Sequence, residues 1–196
     1  DHKSSRGLGD VYKRQSLTKE ISSVPLLDVG RGNKKIRQEI LKKISEVYDA
    51  GCFVYGPDCR ELESRIAEIS SAKYAIGCAS GSEALLVALM AHDIGPGDEV
   101  ILPSFTFFAT ASAVWRLGAK VVFADIDPST FNMDAKHVES LVNSNTRAII
   151  PVHLFGQCAD MDLLGKLADQ HGLLVIEDAA QSIGAKFNGK ACGAIG

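Results

Sequence analysis

The chain has 196 residues, of which 46% are hydrophobic and 23% charged, a size and composition typical of a globular domain with a buried core. Its formal net charge of −3 gives no indication of a nucleic-acid or anionic-membrane partner, and its longest apolar run, residues 84–91, is too short to cross a bilayer. No secretory signal opens the chain and its five cysteines lack a CxxC pair, so we expect reduced thiols, no metal site and a cytoplasmic location.

The N-terminal stretch, residues 1–23, is polar, rich in Ser, Lys and Arg, and without hydrophobic periodicity. It therefore predicts a disordered leader. Within it, residues 4–15 resemble translated sequencing-adapter sequence, so they are set apart from any reasoning about the fold. We expect order to begin at residues 24–27.

Two helices are predicted next, separated by a loop punctuated with Gly and Pro at residues 51–57. Apolar residues at helical spacing indicate a first helix on Ile36, Ile40, Ile44, Val47 and Tyr48, and a second at residues 59–70 on Leu62, Ile66 and Ile69.

From residue 74 onward, short apolar runs alternate with segments of helical period, and turn residues lie between them. This alternation predicts an α/β fold, a three-layer α/β/α sandwich with a mostly parallel sheet covered on both faces. Residues 187–190 read Phe-Asn-Gly-Lys and predict a hairpin with a two-residue turn. The predicted strands are residues 74–78, 99–102, 120–124, 147–152 and 173–177, and the predicted helices are residues 82–92, 106–117, 135–142 and 161–171.

The first segment with a candidate functional role, residues 79–86, joins a predicted strand to a strongly apolar helix. It has Gly81 and Ser82 at the junction. Gly81 lets the backbone approach a ligand closely, and Ser82 is a good N-cap residue. The unpaired N–H groups and positive dipole end of a helix N-terminus suit a phosphate. The alternative is a plain capped helix without a ligand.

The second segment, residues 103–110, follows another predicted strand and carries Phe105, Phe107 and Phe108. These side chains are expected near the same C-terminal edge of the sheet, where one ring can stack on a flat heteroaromatic ligand. The alternative is that the three rings belong to the hydrophobic core.

The third segment begins as an apolar run, residues 173–176, and ends in Glu177 and Asp178, with Gln181 three residues later. An acidic side chain at the end of a buried parallel strand lies where open α/β sheets bind ligands, and its burial requires a cationic partner. A carboxylate facing a pyridinium nitrogen keeps that nitrogen protonated, as an electron sink requires. The alternative, an N-cap for the next helix, accounts for Asp178 but not for Gln181.

A phosphate seat, an aromatic ring and a buried carboxylate at one edge of a parallel sheet form the outline of a pyridoxal 5′-phosphate (PLP) site. From residue 24 to 196 the chain resembles the DegT/DnrJ/EryC1/StrS family of PLP-dependent sugar aminotransferases. The segments that carry the resemblance are VPLLD at 24–28, GP at 56–57, LE at 62–63, SGSEAL at 80–85, GPGDEVI at 95–101, PSFTF at 103–107, FADID at 123–127, PVHLFGQ at 151–157 and IEDAAQ at 176–181.

The resemblance implies a partial large domain of the aspartate-aminotransferase-like fold at residues 24–196. It implies that Gly81 and Ser82 hold the cofactor phosphate, that Phe107 stacks on the pyridine ring, and that Gln181 contacts the ring hydroxyl oxygen. Asp178 would pair with the ring nitrogen and so be the catalytic residue of the set. Ser82 stands where the family more often has Thr, and it keeps the hydroxyl.

The family's Schiff-base lysine follows the Gly-x-x-Gly that is found here at residues 193–196. We therefore expect the chain to be an N-terminal fragment without that lysine and without the small C-terminal domain, and to be inactive on its own. Lys186 and Lys190 flank the predicted hairpin turn and are expected to point to solvent.

His153 follows the strand that ends at residue 152 and is expected near Asp178. It is a candidate contact for cofactor or substrate, and the alternative is a hydrogen-bonded structural histidine.

The function implied by the resemblance is transfer of an amino group, typically from glutamate, to a nucleotide-linked keto-sugar in polysaccharide or antibiotic-sugar synthesis, by a homodimer. Two alternatives stay open: a PLP-dependent sugar dehydratase of the same family, in which His replaces the lysine, and a non-catalytic regulator that keeps the fold.

Overall fold

The computed structural model describes residues 28–196. Two compact units meet in sequence between Val54 and Tyr55, so the described part of the first unit is residues 28–54 and the second is residues 55–196. The predicted leader and the predicted start of order at residues 24–27 lie outside the described residues.

The first unit contains α1 (Val29–Asn33) and α2 (Arg37–Ala50). Helix α1 begins after Asp28, whose carboxylate accepts the backbone N–H of Arg31 at 3.0 Å. Helix α2 confirms the first predicted helix and ends at Gly51, which adopts a left-handed φ of 63° that glycine tolerates without strain.

The second unit is built on a four-stranded parallel sheet, which confirms the predicted sheet. Its strands are β1 (Glu99–Pro103), β2 (Lys120–Ala124), β3 (Thr146–Ile149) and β4 (Leu174–Val175), in the order β2-β1-β3-β4. Because all four strands run in one direction, their carboxyl ends meet at one edge, where ligands bind in open α/β sheets.

Helices cover both faces of this sheet, which confirms the three-layer α/β/α prediction. Successive strand residues point to opposite faces: Val100 and Leu102 belong to one core cluster and Ile101 to the other. The first cluster includes Leu89 and the second Leu164. The helices of this unit are α3 (Pro57–Ser70), α4 (Gly81–Met90), α5 (Phe108–Arg116), α6 (Ala135–Leu141) and α7 (Met161–His171).

The predicted strand at residues 74–78 is wrong, since this segment joins no ladder among the described residues. Its backbone is held by a side chain instead: the N–H of Gly77 donates to Oε1 of Glu63 at 2.7 Å. The apolar composition of the segment predicted an extended backbone but could not identify the partner of its N–H groups.

The predicted hairpin is confirmed by the antiparallel pair β5 (Lys186–Phe187) and β6 (Lys190–Ala191). The two turn residues, Asn188 and Gly189, have φ values of 48° and 83°, as a type I′ turn requires.

Two of the five cysteines form a disulfide, which corrects the expectation of reduced thiols. Cys158 and Cys192 are joined with their Cα atoms 6.5 Å apart, whereas Cys52, Cys59 and Cys78 are free and exposed. The argument for a cytoplasmic location from unpaired cysteines therefore no longer holds. The pairing is not evident from the spacing of the cysteines in the sequence, because the hairpin brings Cys192 back to the loop after β3.

Within residues 28–196, no helix has the length and hydropathy needed to span a membrane.

Candidate active site

A pocket of about 230 Å³ lies at the carboxyl edge of the sheet. Its wall comes from the first turn of α4 and from the segments that follow β1, β3 and β4, because parallel strands deliver their next residues to one edge. All five residues predicted to bind a cofactor line this one pocket: Gly81, Ser82, Phe107, Asp178 and Gln181.

The N-terminus of α4 differs in one respect from the prediction. Ser80, with an extended backbone, is the N-cap, and its Oγ accepts the N–H of Glu83 at 3.2 Å. The expectation that Ser82 caps the helix is therefore wrong: Ser82 is the second residue of the helix. The hydroxyl of Ser82 and the first N–H groups of α4 are consequently left for a ligand in the pocket.

The three phenylalanines after β1 do not belong to the hydrophobic core. Phe105 is 46% exposed, and Phe107 and Phe108 are each 74% exposed. Of the three, only Phe107 lines the pocket. It occupies the N-cap position of α5 with an extended backbone, which presents the ring at the pocket wall rather than beneath the helix.

Asp178 is fixed at the end of the sheet by its backbone. Its N–H donates to the carbonyl of Pro151 at 2.9 Å, and its carbonyl accepts the N–H of His153 at 3.0 Å. The residue is only 8% exposed, yet it lines the pocket. No Lys, Arg or His side chain among residues 28–196 forms an ion pair with it. A buried carboxylate on a pocket wall without a cation is suited to a cationic ligand.

A hydroxyl that sequence reasoning missed contacts this carboxylate. The Thr110 hydroxyl, which is fully buried, donates to Oδ2 of Asp178 at 2.8 Å. Thr110 Oγ1 also lies 2.9 Å from Thr106 Oγ1. Because the Thr110 proton is directed at Asp178, the Thr106 hydroxyl is the donor in the second bond. The signal in the sequence is a pair of threonines four residues apart, one just before α5 and one in its first turn.

Gln181 is oriented by the loop that follows β3. Its Oε1 accepts the backbone N–H of Phe155 at 2.9 Å. The amide NH₂ has no acceptor among the described residues and can donate to a ligand in the pocket. Phe155 reaches this position with a left-handed φ of 54°.

His153 lies between Val152 and Leu154, which both line the pocket, but it does not line the pocket itself. It is fully buried, and both ring nitrogens have protein partners: Nδ1 accepts the N–H of Ala159 at 3.1 Å, and Nε2 lies 2.7 Å from Oε2 of Glu177. This geometry supports the structural alternative over a contact with cofactor or substrate.

Glu177 is a second residue that sequence reasoning gave no role. Burial alone raises the pKa of its carboxyl, but hydrogen bonds from His153 and from three backbone N–H groups outweigh burial and lower the pKa from 4.5 to about 2. Glu177 is therefore an ionised, internally satisfied carboxylate beside a carboxylate that faces the pocket.

The lysines of the hairpin, Lys186 and Lys190, are exposed and do not line the pocket, as expected. Among the described residues, no group of three or more His, Cys, Asp or Glu side chains is arranged to hold a metal ion.

Comparison with known proteins gives a continuous match. The profile of the DegT/DnrJ/EryC1/StrS aminotransferase family matches residues 34–196. The chain is 52% identical over 174 residues to a pleiotropic regulatory protein of Geobacillus stearothermophilus, covering 89% of this chain and 47% of that protein. It is 47% identical over 167 residues to UDP-2-acetamido-2-deoxy-3-oxo-D-glucuronate aminotransferase of Pseudomonas aeruginosa, covering 85% of this chain and 46% of that enzyme.

Among solved structures, the fold is similar to that of NtdA from Bacillus subtilis with bound cofactor PMP. The TM-score is 0.84 at 37% identity, over 89% of this chain and 40% of that one. The chain thus spans about half the length of the curated relatives it matches.

Proposed function

We propose that this chain, which belongs to the DegT/DnrJ/EryC1/StrS aminotransferase family, binds PLP in the pocket of about 230 Å³ and serves transfer of an amino group to a nucleotide-linked keto-sugar. The single observation that carries the cofactor assignment is Asp178, a buried carboxylate on the pocket wall that has no cationic side chain opposite it among residues 28–196. The pyridinium nitrogen of the cofactor supplies the missing charge.

The other lining residues suit the remaining groups of the cofactor. The first N–H groups of α4 and the hydroxyl of Ser82 are donors for the phosphate, and Gly81 leaves room for it: a Cβ there would meet no other atom within 4 Å. The exposed ring of Phe107 offers a face to the pyridine. The NH₂ of Gln181, oriented by Phe155, is a donor for the ring oxygen.

PLP, when bound, takes up the electron pair left on the substrate carbon after a proton is removed. The part of this chain is to hold and polarise the ring. Asp178 keeps the proton on the ring nitrogen, and the Thr110 hydroxyl fixes the direction of the carboxylate. The buried position of Asp178 limits competition from water for that contact.

Activity and substrates concern the whole protein and rest on its relatives. The Pseudomonas aeruginosa relative is named for a UDP-linked keto-sugar acid. We propose a nucleotide-linked keto-sugar as acceptor and glutamate as donor, so that the products are an amino sugar nucleotide and 2-oxoglutarate. No lysine of the described residues lines the pocket; by the resemblance, the family's Schiff-base lysine follows the Gly-x-x-Gly that is found here at residues 193–196.

The proposal for subunit assembly is based on aromatic side chains that are exposed beside the pocket. Phe105 contacts both Phe131 and Phe155, with ring centroids 6.0 and 6.5 Å apart, and the three rings are 46%, 49% and 75% exposed. An exposed aromatic cluster indicates a surface that another molecule covers. We propose that a second copy of the protein covers it in a homodimer.

The cofactor assignment is tested with PMP, the amine form of PLP, because PMP binds without a lysine. Calorimetry on the full chain should give saturable binding with one site. Asp178→Asn should weaken binding by about 100-fold, since it removes one partner of a buried ion pair. Asp125→Asn, which changes a carboxylate outside the lining, is the matched control. Absence of PMP binding by the unsubstituted chain would overturn the assignment.

A regulatory protein that keeps the fold is the second candidate, favoured by the name of the Geobacillus stearothermophilus relative. The two candidates differ in turnover: an aminotransferase releases 2-oxoglutarate from glutamate when a keto-sugar nucleotide is present, whereas a regulator releases none. A sugar dehydratase would consume a sugar nucleotide without producing 2-oxoglutarate.

A further inference from the structure

The two carboxylates at the end of β4 face different surroundings. Asp178 lines the pocket, whereas Glu177 does not, because successive residues of an extended backbone point to opposite sides. The side chain of Glu177 is only 4% exposed. The question is therefore what a buried, charged Glu177 does on the side away from the pocket.

Every acceptor position of the Glu177 carboxylate is used by the protein. Oε1 accepts the N–H groups of Ile195 at 2.6 Å and Gly196 at 2.7 Å. Oε2 accepts the N–H of Gly193 at 2.7 Å and the Nε2–H of His153 at 2.7 Å. Because Nδ1 of His153 accepts the N–H of Ala159, the proton of the neutral imidazole lies on Nε2 and is directed at Glu177.

The 193–196 segment therefore forms a nest of N–H groups around an internal anion. It is also packed closely against the end of β4. A Cβ on Gly193 would lie 3.3 Å from Cβ of Ala179, and a Cβ on Gly196 would lie 3.0 Å from the carbonyl oxygen of Val175. Glycine at both positions allows the backbone to reach the carboxylate.

We propose that Glu177 is a positioning residue, whose carboxylate fixes the backbone of the 193–196 segment against residues 175–179 and so sets its place relative to the pocket. The segment contacts Ala179 and Glu177, which are the chain neighbours of the lining residues Ala180 and Asp178. The two carboxylates have different roles: Asp178 contacts the ligand, and Glu177 binds the backbone of the 193–196 segment. This role rests on the proposed function only in taking the pocket to be a cofactor site.

The test is amide hydrogen exchange by NMR on the full chain, with and without PMP. Glu177→Gln is nearly isosteric but neutral, and its NH₂ meets N–H donors instead of accepting from them. We expect exchange at Gly193, Ile195 and Gly196 to become about 10- to 100-fold faster, since hydrogen bonds to a charged acceptor are lost. Exchange at Leu102 and Ile149 in the core is compared at matched global stability, with the unsubstituted chain adjusted by urea, and should then agree within about twofold, which separates a local release from general destabilisation.

The matched control is Glu63→Gln, which removes another carboxylate that accepts a backbone N–H. It should speed exchange at Gly77 and leave the 193–196 segment unchanged. Glu177→Asp, which keeps the charge but is one methylene shorter, serves if the glutamine variant does not fold, and should give intermediate rates.

PMP distinguishes this inference from the function on which it rests. In the unsubstituted chain, PMP should slow exchange in the 193–196 segment; in Glu177→Gln, PMP should bind but no longer protect it. Unchanged exchange at the three amides in Glu177→Gln, or a change no larger than that of the core, overturns the positioning role. Failure of PMP to bind the unsubstituted chain counts against the cofactor site alone and leaves the amide result standing.

Discussion

The hydroxyl of Thr110 donates a hydrogen bond of 2.8 Å to the carboxylate of Asp178, although 68 residues separate the two in sequence. Thr110 lies in the first turn of α5 and is fully buried, and Asp178 follows β4. The bond ties the helix after β1 to the strand end that carries the proposed catalytic carboxylate. From the described part of the chain, the other carboxylate oxygen receives only a long contact, 3.3 Å, from the N–H of Ala180.

Replacement of Thr110 should weaken cofactor binding through Asp178. Thr110→Val keeps the volume and removes the donor, so the carboxylate loses its orientation, and we expect PMP affinity to fall by about 5- to 20-fold. Calorimetric titration measures the change. Thr110→Ser keeps the hydroxyl and should retain most of the affinity; equal losses in both variants would show that packing, not the hydrogen bond, matters.

The Ser82 hydroxyl should act on the phosphate alone. Ser82→Ala is expected to weaken PMP binding by about tenfold, the effect of one hydrogen bond to a charged group. Binding of pyridoxamine, which lacks the phosphate, should not change. Ser80→Ala provides the contrast: it removes the N-cap and should lower the free energy of unfolding by about 1 kcal/mol, seen in urea denaturation.

Stability at acid pH should depend on Glu177. Its pKa is lowered from 4.5 to about 2 in the folded state, so its contribution is fully present above pH 4.5 and is lost as the pH falls toward about 2. A shift of this size corresponds to about 3 kcal/mol. We expect the free energy of unfolding of the unsubstituted chain to fall by about that much more than that of Glu177→Gln between about pH 5 and pH 2. Urea denaturation across this range measures both, and parallel curves would contradict the prediction.

The disulfide should stabilise the second unit. Cys158 and Cys192 are 34 residues apart, and closing a loop of that length in the unfolded chain corresponds to about 4 kcal/mol in the chain-entropy account. Reduction should therefore lower the free energy of unfolding by up to about that amount, as measured by denaturation with and without a thiol reductant. A Cys158→Ser, Cys192→Ser double variant should be insensitive to the reductant; sensitivity there would point to the other cysteines.

Most of the sheet was predictable from the sequence, because its strands are apolar runs and β1, β2 and β3 are each followed by a helix. Strands β1, β2 and β3 each begin within one residue of the predicted start. The segment at residues 74–78 shows the limit of that reasoning. Its composition suited a strand, but ladder pairing depends on a neighbour, and its Gly77 N–H is bonded to Glu63 from an earlier helix.

The sequence by itself determined which side chains meet at the pocket. Gly81, Ser82, Phe107, Asp178 and Gln181 each follow or precede a predicted element at the same edge, and the rule that parallel strands end together is enough to bring them into one lining. Only the tertiary structure decided what supports them. The supporting contacts join residues 16 to 68 positions apart. They are the hydrogen bonds Thr110–Asp178, Phe155–Gln181 and Gly193–Glu177 and the disulfide Cys158–Cys192. Such contacts depend on helix placement and loop path to within about an ångström, because a hydrogen bond is lost beyond 3.5 Å, and no local pattern in the chain encodes that distance.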